Sequence, residues 1–235
     1  MSNLTDDTKS WYTKYYRSLG RNRNDLRSNP EVLFQTLAQE AAIVRSATYL
    51  QHDPADATIL DVGCGGGGNI FQLIRLGYRY ANITGIDIND ERIAIGKADF
   101  PLCHFFIADA SQMFFSDNSF DLIYESTMFS TLPDEDLCIA ISREMVRVCK
   151  KGGYLLLVDW RYKKSGSTKY NALNRKKVKT YFGVSQVTDL ISVEAGALVP
   201  PLGRFLSKYI PSLYFLVAAL LPFSVGQIVY ILKKR

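Results

Sequence analysis

Residues 59–70 read ILDVGCGGGGNI, an apolar run with one acid followed by five glycines in six positions. Glycine loses more chain entropy on folding than any other residue, so such a cluster marks a place where something approaches the main chain closely. Gly63, Gly65 and Gly68 satisfy the G-x-G-x-x-G spacing of a dinucleotide loop. Asp87 lies about 20 residues further on, where an acid grips ribose hydroxyls. An NAD-dependent oxidoreductase is therefore one reading of the loop. Asp61 works against it, because an acid two residues before the first glycine would repel a pyrophosphate.

Outward from the loop, strand and helix patterns alternate. TILDV, NITGID, HFFIAD, FDLIYE and GYLLLVD are short apolar runs of the kind buried on both faces. Between them IFQLIRLG, NDERIAIGKA and PDEDLCIAISREMVRVCKKGG read as helices. The second opens on Asn89 or Asp90 as a cap; the third has acids in its first turn and Lys150 and Lys151 in its last. This order predicts an α/β fold of parallel strands joined by right-handed crossovers. Ligands of such sheets bind beyond the carboxyl ends of the strands. Asp87, Asp109, Glu125 and Asp159 end four of the runs, and Asp61 closes a fifth. Five acids on one rim suit a ligand rich in hydroxyls and amines, or a cation.

DVGCGGG fits the pattern D/E-x-G-x-G-x-G and resembles the nucleotide-binding loop of class I S-adenosylmethionine-dependent methyltransferases. The likeness continues through GIDIND, FIADA, FDLIYESTMF and KKGGYLLLVDW, roughly residues 58 to 160. It implies a Rossmann-like, doubly wound seven-stranded sheet of order 3-2-1-4-5-7-6 with the last strand antiparallel. It also implies S-adenosyl-L-methionine as cofactor. Asp61, Gly63, Cys64, Gly65 and Gly67 would form its cradle, with Asp61 facing the cationic part of the ligand. Asp87 and Ile88 would hold the ribose, Asp109 and Ala110 the adenine, and Glu125 the active-site edge. A sulfonium already activates its methyl group, so the protein chiefly aligns the reactants, which is worth about 7–11 kcal/mol of barrier. A hydroxyl or carbon acceptor also needs a base. Glu125 and Asp159 are the candidates at the proper rim, with Arg161 and Tyr162 placed to orient an anionic or sugar-like acceptor. Both acids have a plainer reading as cofactor contacts or local hydrogen-bonding groups. His52 and His104 stand at the beginnings of strands, the wrong end. ESTM at 125–128 replaces the asparagine-proline signature of amino acceptors.

At 235 residues, with 47% hydrophobic content, a net charge of +5 and a pI near 8.9, the chain has the composition of an ordinary globular protein. A single domain is expected over 1–235: a helical N-terminal extension (1–55), the cofactor core (56–160), and a substrate-side tail with an edge hairpin (161–235). Trp11, Tyr12, Tyr15 and Tyr16 form either a lid or plain helix packing. Arg175, Lys176, Lys177 and Lys179 read as a solvated helix face, or else as an attractor of a phosphate, lipid headgroup or nucleic acid. The basic excess is too mild to demand nucleic acid, and none is expected as a partner. No His/Asp cluster has metal-ligand spacing. The start lacks a signal-peptide pattern and no cysteines pair as CxxC, so a cytoplasmic setting is expected. Residues 210–232 carry no charge over about the length of a membrane span, but Pro222, Gly226 and Gln227 interrupt them. The apolar stretch 198–222 either covers the acceptor pocket or makes peripheral membrane contact. WYTKYY, DWRY and LVPPLGRFLSKY are faintly similar to methyltransferases of bacterial polysaccharide and surface-glycan pathways. That likeness favours O- or C-methylation of a small-molecule acceptor such as a sugar, nucleotide-sugar or glycan. A methyltransferase-like binding module without turnover is the remaining reading. Nothing in the sequence fixes the oligomeric state.

Overall fold

The structure is a computed structural model that describes residue 14 and residues 26–132, 134–163 and 171–235. Trp11, Tyr12, Tyr15 and Tyr16 lie outside the described residues, and with them the expected lid.

β1 (Ile59–Val62) is buried at all four positions and forms the middle of the parallel region. It pairs in parallel with β2 (Ile83–Asp87) on one side and β4 (Phe120–Ser126) on the other. β3 (His104–Ile107) extends the sheet beyond β2, and β5 (Cys149–Trp160) beyond β4. β7 (Gln227–Lys234) runs antiparallel against both β5 and β6 (Thr188–Ala195). The order is β3-β2-β1-β4-β5-β7-β6, as the resemblance implied.

Strand alternation divides the core into two layers. Leu60, Val62, Ile123, Leu155 and Leu157 face one side; Ile59, Leu122, Tyr124, Leu156 and Val158 face the other. The first side is covered by α4 (Glu135–Val148), which buries Cys138, Ile141, Ser142, Met145 and Val148 at helical spacing. Asp134 caps that helix by accepting from Leu137 N at 2.7 Å. α1 (Leu33–Ala47) buries Ala38, Ala42, Ile43 and Ser46. α2 (Ile70–Arg75) follows the glycine loop, and α3 (Asp90–Asp99) is capped by Asn89, whose side chain accepts from Arg92 N. All four cysteines are free and buried.

Two sequence expectations change. β3 is exposed at His104, Phe106 and Ile107, because an edge strand has one flank uncovered. Lys150 and Lys151 belong to β5 and not to the last turn of α4: Cys149 is already extended and pairs with Phe120, so the chain passes directly from helix to strand.

After β5, α5 (Arg175–Tyr181) lies against α4 and carries the basic run. Between β6 and β7 the chain makes an excursion through α6 (Pro200–Tyr209), a short 3₁₀ turn at Pro211–Leu213, α7 (Tyr214–Leu220) and a second turn at Pro222–Ser224. Its neck is closed by the Leu198–Val225 bridge, by Val199 N donating to Ser224 O at 2.8 Å, and by Gly226 N donating to Ala197 O at 2.9 Å. Tyr214 folds back so that its buried hydroxyl accepts from Leu198 N at 3.1 Å. Prolines thus cut the uncharged stretch into short pieces, and among the described residues no helix is long and apolar enough to cross a membrane.

Candidate active site at the carboxyl ends of β1, β2, β4 and β5

The glycine loop turns sharply off β1 and returns to β2. Gly63, Gly65 and Gly67 have φ of +72°, +55° and +83°, a region that side-chain-bearing residues rarely adopt. A Cβ on Gly63 would stand 2.9 Å from Met128 Sδ, and one on Gly67 2.9 Å from Phe100. Gly63 N and Cys64 N both donate to Ile86 O, at 2.8 and 3.0 Å. Those two amides therefore hold the loop to β2 and are not presented to a ligand. The Cys64 side chain is buried, and a Cβ on Gly85 would stand 2.8 Å from its sulfur. Cys64 thus packs the loop onto the sheet. Gly68 has open space where a Cβ would stand and no positive φ. In a dinucleotide fingerprint the third glycine permits close helix packing. Here nothing requires it, which removes the structural basis of the NAD reading.

Asp87 is half-buried, and its carboxylate is oriented by two amides: Gly65 N donates to Oδ2 at 2.9 Å and Asn89 N to Oδ1 at 2.8 Å. A carboxylate offers about four acceptor positions. Those not used by the protein are what a ribose hydroxyl would need. Burial raises the Asp87 carboxyl, while the amides of Asn89 and Gly65 and the Arg92 guanidinium pull it back down. Ile88, beside it, is half-buried. Asp61 is fully enclosed, and Asn69 Nδ2 donates to both of its oxygens at 3.2 Å. Burial pushes its carboxyl up to about 7, the Asn69 bonds oppose this, and the nearby Asp87 charge adds to it. A cation brought to this loop would restore the ionised form. Asp109, two residues beyond β3, accepts from Ser111 N and Oγ at 2.8 and 2.7 Å and is half-buried beside Ala110. The residues present fit S-adenosylmethionine: a side-chain-free cradle, an oriented carboxylate for hydroxyls, and buried negative charge for a cationic ligand.

Glu125 and Asp159 do come together, but differently from the expectation. Glu125 lies opposite Leu157 and Asp159 two residues further along β5, so both face the α4 side of the sheet. Each is fully buried. Glu125 Oε1 accepts from Met128 N at 2.6 Å; Asp159 accepts from Ser130 N at 2.9 Å and Trp160 N at 2.6 Å. Glu125 Oε2 has no donor among the described residues. Burial, and then the Asp159 charge, push the Glu125 carboxyl well above the carboxylate range, whereas Asp159 rises only to about 6, chiefly through burial. Burial and the neighbouring charge thus both act against ionising the two carboxyls at once. Both carboxyls fasten the 127–131 turn from beneath.

That turn holds what the sequence did not signal. Thr127 has φ +60°, an outlier for a β-branched residue, and its N–H donates to Val158 O at 2.8 Å. Met128 covers Gly63, and the Arg92 guanidinium lies over the loop, within 3.3 Å of where a Cβ on Gly66 would stand. Asn69 was within the stretch that opened the reading, and its spacing from Asp61 is the one available hint.

Arg161 is engaged elsewhere than expected. Its guanidinium donates to Pro222 O and sits 4.8 Å over the Tyr162 ring, while Tyr162 donates to Phe223 O at 2.8 Å. The two residues join the end of β5 to the excursion, and Arg161 Nε is buried with no hydrogen-bond partner among the described residues. His52 shares a 2.7 Å hydrogen bond with Tyr78 at the opposite end of the sheet, and His104 opens β3. Among the described residues no group of three His, Cys, Asp or Glu could hold a metal ion.

The protein family described as "Methyltransferase domain" matches residues 59–153. The chain is 33% identical over 110 residues to 2-methyl-6-phytyl-1,4-hydroquinone methyltransferase of Synechocystis, covering 46% of this chain and 33% of that protein. It is 34% identical over 128 residues to a sterol 24-C-methyltransferase of Aspergillus fumigatus, covering 51% and 33% respectively. The matches thus span about a third of the length of these curated relatives. Among solved structures, geranyl diphosphate C-methyltransferase of Streptomyces coelicolor, in complex with S-adenosyl-L-homocysteine, shares the fold. Its TM-score is 0.61 at 14% identity, over 85% of this chain and 78% of that one.

Proposed function

With a class I S-adenosylmethionine-dependent methyltransferase core over residues 59–153 as premise, we propose that this chain moves a methyl group from S-adenosylmethionine to a small-molecule acceptor. The observation that carries the proposal is the left-handed glycine loop fastened to a half-buried Asp87 by the Gly65 amide. When bound, the cofactor supplies an activated methyl on a cationic sulfur. The chain's own part is to hold and to exclude. Asp87 fixes the ribose end, and Asp61 balances positive charge. Met128, over Gly63, and the 127–131 turn wall the reacting end. Asp109 and Ala110 remain the proposed adenine contacts. Fixing reactants in line can supply much of the catalysis, about 7–11 kcal/mol. Glu125 and Asp159 act as positioning residues that set the turn. Glu125 and Asp159 both remain candidate proton acceptors if the turn opens onto them.

For the acceptor we favour a molecule with a large apolar part. The relatives named above act on a phytyl-bearing hydroquinone and a sterol, and the excursion beside the end of β5 is rich in exposed apolar side chains. A sugar, nucleotide-sugar or glycan acceptor draws no support from those relatives.

Incubation of the chain with methyl-labelled S-adenosylmethionine and bacterial extract, followed by organic partition, tests both layers. Label in the organic phase is the expected result. Label confined to the aqueous phase would return the acceptor to the sugar class. Binding of S-adenosylhomocysteine with no transfer to any fraction would favour the binding module.

A further inference from the structure

The charges of this chain are segregated. Residues 160–235 contain thirteen Lys and Arg but only two acids, Asp189 and Glu194, whereas residues 1–159 contain fifteen against twenty-one. From Ala195 to Arg235 there is no acid at all. Within that acid-free region lies the β6–β7 excursion. There Phe205, Tyr209, Ile210, Leu213, Phe215, Leu216, Leu220, Leu221 and Phe223 are all exposed, Leu220 and Phe223 to 69% each. Scattered surface leucines need no explanation, but nine large apolar side chains in nineteen consecutive residues do.

Their setting selects the partner. α6 buries Gly203, Leu206 and Ser207 and turns Phe205 and Tyr209 outward beside the exposed Arg204 and Lys208. The Lys208 ammonium stands 5.2 Å over the Tyr209 ring. An aromatic ring beneath a lysine at the edge of an apolar face has its polar tip and its apolar body on different levels, as an interface between water and hydrocarbon requires. The helices have ten and seven residues, so they are suited to lying on a bilayer and are too short to cross one. Arg161 holds Pro222 O at the far end, which places a cation where the patch meets the end of β5.

We infer that the α6–α7 excursion is a docking surface for an anionic lipid bilayer, with its exposed Phe, Leu and Tyr side chains entering the interface and the acid-poor C-terminal third supplying the attraction. A protein partner of matching shape would need acids to meet this charge as well as an apolar groove; an anionic bilayer presents both over any area. Each buried leucine or phenylalanine strengthens partition, and each lysine or arginine near the surface adds a salt-sensitive contribution. The inference goes beyond methyl transfer and does not depend on the acceptor's identity.

The test is co-sedimentation of the full chain with vesicles of phosphatidylcholine alone or with about a third phosphatidylglycerol, at low and high salt. The expected result is binding to the anionic vesicles that salt weakens. The variant Leu220→Ser/Phe223→Ser should lower partition by at least roughly tenfold with an unchanged thermal unfolding midpoint, since both side chains are exposed. Arg204→Glu/Lys208→Glu should abolish the preference for anionic over neutral vesicles. The inference is overturned if the chain stays in the supernatant with anionic vesicles, or if both variants sediment like the wild type. It is equally overturned if the excursion holds two copies together, seen as a dimer that Leu220→Ser/Phe223→Ser dissociates, or if RNA competes the chain off the vesicles.

Discussion

Replacing Asp61 by asparagine separates what this acid costs the fold from what it gives the ligand. Asp61 is fully buried and titrates at about 7, against an ordinary 3.8. At 1.36 kcal/mol per pKa unit, the difference is on the order of 4 kcal/mol. The sign follows from the raised value: the contribution to stability is complete below the unfolded pKa and is lost as pH rises from about 4 through about 7. Asp61→Asn keeps the shape and an acceptor for Asn69 but has no proton to lose. Allowing half of the difference for imperfect replacement, the variant should be about 2 kcal/mol more stable than wild type at pH 8, or roughly 4–8 °C in Tm. At pH 4.5 the two should nearly coincide. Glu125 and Asp159 shape both profiles alike, so the difference between them reports Asp61 together with its coupling to the Asp87 charge. The same substitution should weaken S-adenosylmethionine, which carries the sulfonium, by roughly tenfold, about 1.4 kcal/mol, in calorimetry at pH 8. S-adenosylhomocysteine, which lacks it, should lose less. Parallel stability profiles from pH 4.5 to 8.5, or undiminished binding of the sulfonium ligand, would refute the reasoning.

Asp87→Ala removes the proposed ribose contact together with the loop's fastening, and should weaken S-adenosylhomocysteine by at least tenfold, about 1.4 kcal/mol, in calorimetry. Glu125→Gln retains an acceptor for Met128 N and removes a buried ionisable group beside Asp159, so stability should stay within about 1 kcal/mol and turnover within roughly tenfold. A loss of turnover beyond about a hundredfold would make Glu125 a proton-transfer group after all. Asp159→Asn turns an amide donor toward either Ser130 N or Trp160 N and should destabilise by roughly 2 kcal/mol in urea titration. Thr127→Gly releases the left-handed strain and should stabilise by about 1 kcal/mol. Its effect on turnover reports whether that strain shapes the acceptor side.

The parallel sheet was legible because its strands are short apolar runs separated by helices with standard caps, such as Asn89 and Asp134. The glycine loop was legible because left-handed turns permit few residue types. Legibility failed where tertiary context overrides local pattern. HFFI has the composition of a doubly buried strand, yet at an edge its Phe106 is 41% exposed. The lysines after Val148 suit a helix terminus, yet pairing of Cys149 with Phe120 extends the chain. No composition rule marks a threonine for φ +60°. Glu125 and Asp159 were readable as rim acids. That both lie buried beneath the rim on one face of the sheet depends on the register between β4 and β5, which a single sequence does not supply. Arg161 had the chemistry of an anion ligand, and only the fold showed one of its donors engaged by Pro222 O.

The closed neck of the β6–β7 excursion has an evolutionary and engineering consequence. Val199 and Ser224 are zipped by main-chain bonds at the base of the loop, so everything beyond them is an insert in a hairpin whose two strands are already paired. Exposed positions such as Phe205, Leu216 and Leu220 can therefore be exchanged while the sheet keeps its register, whereas Leu206 and Tyr214, buried in the core, anchor the excursion in place.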